Sequence, residues 1–342
     1  MRIVHAITNI AGIPTVLARA QREQGHQVTA ILYRPGGGPD EGTVHLNRLV
    51  DGGRITGPLR TGRMVLWLAS HYDVLHFHYH LSLWPLHRDL AVYKAMGRTL
   101  VFHLHGCDIR DPHLVRRTHA ISACAGCTIP CLNEWKVDLP RALDRYADAV
   151  IVSTPDLLQF VPDATYIPNP LDSAPWERLR AAASAPKERG PWIVVHAPTQ
   201  RHIKGTKYVI DAVERLREEG LPVELRLLEG MTHDELGRAC AEADVAVDQL
   251  LVGWIGQFSL EMMALGKPVI AYVRQELRAP RPDLPVVGST PSALADTLRE
   301  LLHSPRRRRD LAALGPAWVR EHHDVQRVSN RILDLYGSLG AR

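Results

Sequence analysis

Lysine is scarce in this chain. Of 41 basic residues among 342, six are Lys (94, 136, 187, 204, 207 and 267), leaving 35 Arg. That bias points to a GC-rich bacterial genome rather than to a function. Net charge of one sign is small, a formal +4, and so gives no case for nucleic acid as a partner. The one basic block, Arg306-Arg307-Arg308-Arg309, reads as a solvated helix start. Cysteine is too sparse, at five residues, for a disulfide-built scaffold. No apolar run reaches the ~18 residues of a transmembrane helix. The segment Met1–Ile7 is too short and interrupted for an export signal and reads as a strand, so a cytoplasmic protein is expected. No 20–50-residue period repeats, which excludes a solenoid. With 45% hydrophobic and 23% charged residues, the chain is an ordinary globular one, neither disordered, collagen-like nor coiled coil.

Short apolar runs alternate with helical patterns along the chain. Strands are expected at 2–8, 27–33, 74–80, 99–104 and 149–153, with helices at 12–24 and 83–96. The turn-forming stretch Ile167-Pro168-Asn169-Pro170-Leu171-Asp172 follows. Alternation restarts with strands at 192–197, 223–228, 245–248 and 268–272 and helices at 208–219, 233–242 and 258–265. Repeated strand–helix–strand order predicts an α/β protein of two parallel-sheet, Rossmann-like domains. The expected division is 1–172, 173–315 and a final helix over 316–342. Ligands bind such sheets outside the carboxyl ends of their strands, so two of them suggest a cleft that joins two substrates.

The sharpest chemistry lies in the second half. Gly253-Trp254-Ile255-Gly256-Gln257-Phe258-Ser259-Leu260-Glu261 is a glycine-containing loop opening a helix, which Gly266 and Pro268 end. N–H groups at a helix start favour an anion such as a diphosphate. Glu261, one turn in, could bind a vicinal diol such as a ribose, or simply complement the helix dipole. After the first strand of that half, Arg201 and Lys204 bring two cations to the same strand-end face, where a departing diphosphate needs neutralisation. In the first half, Cys124-Ala125-Gly126-Cys127 with Cys131, and Cys107 as a fourth ligand, could form a structural zinc site, or be thiols without metal. His76, His78 and His80 alternate on one strand and share a face. A metal site is conceivable there, but cleft-lining or sheet-edge histidines are the simpler case. At that strand's carboxyl end His78 and His80, with Asp108 and Arg110 of the next loop, are candidate acceptor contacts. For Asp108 and Arg110 the alternative is a cap and a surface ion pair.

Six separated stretches, in order, resemble the GT-B glycosyltransferases of family 4. They are Ala11-Gly12, Gly25-His26-Gln27-Val28, His105-Gly106-Cys107-Asp108-Ile109-Arg110, Ile167–Asp172, Pro198 to Lys204-Gly205, and Glu261-Met262-Met263-Ala264-Leu265-Gly266-Lys267-Pro268-Val269. The resemblance covers nearly the whole chain. It implies a retaining transfer of a sugar from a nucleotide-diphosphate donor, without a metal or other cofactor in the step, and a last helix crossing back to the first domain. It implies that Arg201 and Lys204 hold the diphosphate, that Glu261 binds ribose or sugar, and that the backbone of Ile255, Gly256, Gln257 and Phe258 contacts phosphate and sugar. Glu229 would lie near the base, Gly12 under the diphosphate, and His105 at the transferred sugar. Two positions depart from the family pattern. Gly253 stands where a sugar-contacting Glu is usual, and Thr199, itself an expected donor contact, where a diphosphate-binding Arg is usual. Retention without an evident nucleophile suggests a front-face step. The expected acceptor is a soluble small molecule or glycan, since no strong amphipathic basic face is apparent in the first half. An epimerase or phosphorylase of the same architecture, or a non-catalytic sugar-binding relative, are the alternatives.

Overall fold

The computed structural model describes residues 1–33, 43–46, 50, 56–127, 134–181, 183 and 187–341, the side chains of 134–137 excepted. The chain forms two units. The first comprises Met1–Asp111, Pro130–Pro170 and Val325–Arg342, the second Pro112–Ile129 and Leu171–Asp324. No helix among the described residues is long and apolar enough to cross a membrane.

In the first unit, β1 (Arg2–Ile7), β2 (Gln27–Leu32), β3 (Thr43–His45), β4 (Val74–His78), β5 (Thr99–Leu104), β6 (Ala149–Val152) and β7 (Thr165–Tyr166) form a parallel sheet in the order β3-β2-β1-β4-β5-β6-β7. The order reverses between β1 and β4, and that switch point is where open α/β sheets place ligands. Each face is buried, as the near-continuous Val/Ile/Leu content of these strands requires. One face carries Val4, Ala6, Leu75, Phe77, Leu100 and Phe102 against the helices Thr56–His71 and Leu90–Ala95. The other carries Ile3, Val74, Val101 and Ile151 beneath Leu17 of the helix Ile13–Glu23 and Ile332 and Tyr336 of the helix Val325–Ser338. Each fully buried aliphatic or Phe side chain contributes ~1.5–3 kcal/mol.

In the second unit, β8 (Trp192–His196), β9 (Val223–Leu227), β10 (Val245–Val247), β11 (Val269–Ala271) and β12 (Val287–Gly288) pair in parallel in the order β12-β11-β10-β8-β9. Its switch point lies between β8 and β10. The sheet is sandwiched between a core around Trp176, Leu260, Met263 and Trp318 and another around Val209, Leu216, Leu298 and Leu301.

Several elements differ from the expected ones. β4 ends at His78, because Tyr79 turns to φ 72°. The helix expected over 83–96 is a short turn at Pro85–His87 and a helix over Leu90–Ala95, since Leu86 and His87 take φ of 58° and 57°. Buried Asp89 holds that corner, accepting from Ser82 Oγ at 2.6 Å and Leu83 N at 2.9 Å. The final helix is two. Pro305–His322 packs in the second unit and contains Pro316, and Val325–Ser338 packs in the first. The break lies where Leu171 N donates to His323 O at 2.7 Å, a tertiary bond that no local pattern announces. The segment 112–127 clusters with the second unit, not the first, and Ala123 N donates to Leu251 O at 2.8 Å. The basic block is not wholly solvated either. Arg308 is fully buried and donates to Leu301 O at 2.8 Å, with further bonds to the carbonyls of Leu302 and Lys187. It thereby satisfies carbonyls at the end of the helix Leu294–Leu302.

Candidate functional site

The second unit's switch point is built from two strand ends. β8 runs into the short helix Arg201–Lys204, and β10 into Asp248 and Gln249. Lys204 O accepts from Leu250 N at 3.0 Å, which ties the two loops together. Lys204 Nζ donates to Asp248 Oδ1 at 2.8 Å and to Gln249 Oε1 at 2.9 Å. The other carboxylate oxygen of Asp248 accepts from Gly256 N at 2.9 Å and Ser259 Oγ at 2.6 Å, in the first turn of the helix Gln257–Ala264. Gln249 Nε2 donates to Trp254 O at 2.6 Å. One buried carboxylate thus fixes both the ammonium and the helix N-terminus. Burial alone would raise that carboxyl, but Lys204, Ser259 and the Gly256 N–H outweigh it and hold it below the usual range. Gly256 is required by space: a Cβ there would lie 2.9 Å from Asp248 Oδ2 and 3.0 Å from Lys204 Nζ.

Glu261 lies one turn further along and is buried, 3.2 Å from His233 Nε2. Burial pushes its carboxyl up against the pull of His233, and the hydrogen bond to Glu261 raises the His233 imidazole in turn. Trp176 packs edge-on to His233, with ring centroids 5.0 Å apart. Ile255 and Phe258 are buried in the core, so their side chains are closed to a ligand. Thr199 is exposed in the bend after β8. Arg201 and Glu229 are also exposed and pair with each other through a two-pronged contact, Arg201 Nε donating to Glu229 Oε1 at 2.9 Å.

Gly253 has φ 90°, and a Cβ there would lie 2.8 Å from Arg274 Cγ. Arg274, largely buried, is bonded through its backbone N to Gly253 O at 3.0 Å and through its side chain to His119. A cation therefore packs over the position where the family pattern has a carboxylate.

Sequence reasoning missed Asp248, Gln249, Ser259 and His233. A signal existed for the first: an Asp directly after an apolar strand, at the end where ligands bind.

In the first unit, Gly12 (φ 75°) opens the helix Ile13–Glu23, with its N–H on Asn9 Oδ1 at 2.9 Å. His105 follows β5, and buried Asp108 holds its loop, accepting from His105 N at 2.8 Å, Gly106 N at 2.6 Å and Ile109 N at 3.1 Å. Asp108 is thus a loop cap, as its alternative had it. Arg110 donates to Asp156 Oδ2 at 2.6 and 3.0 Å. His78 lies in a buried chain: its Nε2 is 2.9 Å from His5 Nδ1 and its Nδ1 3.2 Å from His105 Nε2. Burial lowers His105 to about 3, so it is a neutral imidazole. His80 lies beyond the strand end, its carbonyl bonded to His87 Nε2 at 2.8 Å. Cys107, Cys124, Cys127 and Cys240 form no disulfide, and Cys127 Sγ lies 3.7 Å from His202 Nε2. Cys131 falls outside the described residues.

Residues 15–174 match the family model of Glycosyltransferase Family 4. The fold is similar to that of sucrose-phosphate synthase from Thermosynechococcus elongatus, with a TM-score of 0.67, 19% identity and full coverage of both chains. It is also similar to HepE from Anabaena, solved with UDP-glucose, at 0.66 and 17%, covering 99% of this chain and 100% of that one. For the catalytic domain of Starch Synthase IV from Arabidopsis thaliana, bound to ADP and acarbose, the values are 0.64 and 13%, over 100% and 99%. No curated protein sequence matches. The two switch-point sheets and these likenesses agree: the chain has the fold of the GT-B glycosyltransferases, and its residues 15–174 match Glycosyltransferase Family 4.

Proposed function

We propose that the second unit binds a nucleoside-diphosphate sugar where Lys204, Gly256 and Glu261 converge. The enzyme then transfers the sugar, with retained anomeric configuration, to a soluble small-molecule or glycan acceptor served by the first unit. The observation that carries this is the single carboxylate of Asp248 gripping both the Lys204 ammonium and the N-terminus of the helix Gln257–Ala264. Held in this way, the ammonium and the helix start would meet a diphosphate already in place, with no reorganisation when the leaving group departs. Glu261 is placed to accept from ribose or sugar hydroxyls. Arg201 would add a second cation once it exchanges Glu229 for phosphate, and Glu229 would then be available to the base. In the front-face step the C1–O bond to the diphosphate breaks as the bond from C1 to the acceptor oxygen forms on the same face. The acceptor's proton passes to the departing phosphate oxygen. Lys204, Arg201 and the helix N-terminus supply the charge stabilisation. On the acceptor side, the family resemblance assigns His105 to the sugar, while Asp108 and Arg110 are engaged with protein partners. A donor of this class supports a cytoplasmic setting.

The test is proton NMR of the purified protein with the α-linked glucose conjugates of UDP, ADP, GDP and TDP, water serving as acceptor. Slow release of α-glucose from one of them, abolished in Lys204→Ala, supports the proposal. Initial release of β-glucose contradicts retention. No release from any, together with nucleotide binding, would favour a sugar-binding relative.

A further inference from the structure

Toward the carboxyl end, one face of the first unit's sheet changes from aliphatic to imidazole: Ile3 to His5, Val74 to His76 and His78, Val101 to His103. Cross-strand register puts His5 beside His76 and His78 beside His103. All four are fully buried. Such a position in a parallel sheet ordinarily holds Val, Ile or Leu, and a buried polar atom without a partner costs ~1–3 kcal/mol. Here His76 Nε2 and both ring nitrogens of His103 have no hydrogen-bond partner among the described residues.

One ring nitrogen from each of His5, His76 and His78 lies within 4.8 Å of the others. The remaining nitrogens of this trio are held from outside. His5 Nε2 is 2.9 Å from Gln21 Oε1, His76 Nδ1 bonds Tyr336 Oη, and His78 Nδ1 is 3.2 Å from His105 Nε2. The three ring nitrogens not held in that way are His5 Nδ1, His76 Nε2 and His78 Nε2. Metal-binding histidines are characteristically fixed in this way through their second ring nitrogen. We propose that His5, His76 and His78 form a binding site for one divalent first-row transition ion of the zinc class, which nothing in the sugar-transfer reading requires.

The chemistry fits three neutral nitrogen ligands. Burial lowers His5 to about 4 and His76 and His78 well below the usual range, so each is neutral. Tetrahedral zinc at its usual Zn–N distance sets ligand nitrogens ~3.4 Å apart. The trio must therefore draw together at its widest and open slightly at the His5–His78 contact of 2.9 Å. His78 then carries its proton on Nδ1 and donates it to His105 Nε2, so the proton is redistributed along the chain and none is lost.

The experiment is metal analysis of the full chain purified from zinc- or cobalt-supplemented cultures. One metal per chain is expected, with intense tetrahedral-type cobalt absorption in the visible. His76→Leu should lose both. Tyr336→Phe, which keeps the packing but releases His76 Nδ1, should bind ~10–100-fold more weakly. Circular dichroism checks that each variant is folded. A folded wild-type chain without stoichiometric metal overturns the proposal. So does a cobalt spectrum that both variants leave unchanged, which would place the ion on other histidines.

Discussion

The two sheets satisfy their switch points in opposite ways. In the second unit a buried carboxylate answers a partly buried ammonium, and every polar atom of Asp248 is used. In the first unit five imidazoles, those of His5, His76, His78, His103 and His105, stack and chain together without an opposite charge. The first arrangement is complete as protein. The second leaves buried ring nitrogens without partners among the described residues. A held ammonium is chemistry that suits an anion, and clustered neutral imidazoles suit a cation or a positioned hydrogen bond.

The largest expected effect comes from breaking the charged side. Asp248→Ala takes the carboxylate from the Lys204 ammonium, leaving it Gln249 Oε1, and unties the helix N-terminus. Urea denaturation should show a loss of ~3–5 kcal/mol. Lys204→Ala leaves Asp248 its bonds to Gly256 and Ser259, so its stability cost is smaller. Turnover with the best donor should nevertheless fall roughly 10²–10³-fold. Normal turnover in that variant would remove Lys204 from the donor site.

A smaller effect follows from Gly253. Gly253→Ala puts a Cβ at φ 90° against Arg274, and should cost ~1–2 kcal/mol by thermal or urea denaturation. An unchanged stability would mean that Arg274 moves aside without cost and that a side chain fits there after all.

Titration distinguishes the Glu261–His233 pair from Asp248. Both members of the pair have folded-state pKa values above their unfolded ones. The folded state therefore holds more protons above about pH 4.5, and the stability they contribute is lost as pH rises through the neutral range. The depressed Asp248 carboxyl acts with the opposite sign: its contribution is lost on acidification. Melting temperature against pH should flatten on its neutral side in Glu261→Gln. Smallest of all is Arg201→Ala, which removes an exposed pair. It should leave melting nearly unchanged and weaken nucleotide binding less than Lys204→Ala does.

The alternation of apolar runs and helical patterns placed most strands within a residue or two, because buried parallel strands and amphipathic helices leave local signals. Arg201, Lys204 and Glu261 were legible for the same reason: each follows a strand or opens a helix. What stayed hidden depends on contacts distant in sequence. Ala123 joins the second unit through Leu251, the last helix breaks where Leu171 meets His323, and Arg308 is buried by carbonyls of another helix and of Lys187. Asp248 looked like a strand terminus because its partner, Lys204, is 44 residues away. The histidine cluster was half visible. The 76–78–80 alternation was apparent, but the structure keeps His76 and His78, sets His80 beyond the strand and adds His5 and His103 from neighbouring strands.

The most direct measurement is isothermal titration of the wild-type protein with UDP, ADP, GDP and TDP, repeated on Lys204→Ala. The account predicts one site per chain for one of these nucleotides, with affinity lowered at least roughly tenfold in the variant, as loss of a charge-assisted contact requires. Binding of equal strength in Lys204→Ala, or none of the four bound by a folded wild-type chain, would contradict it.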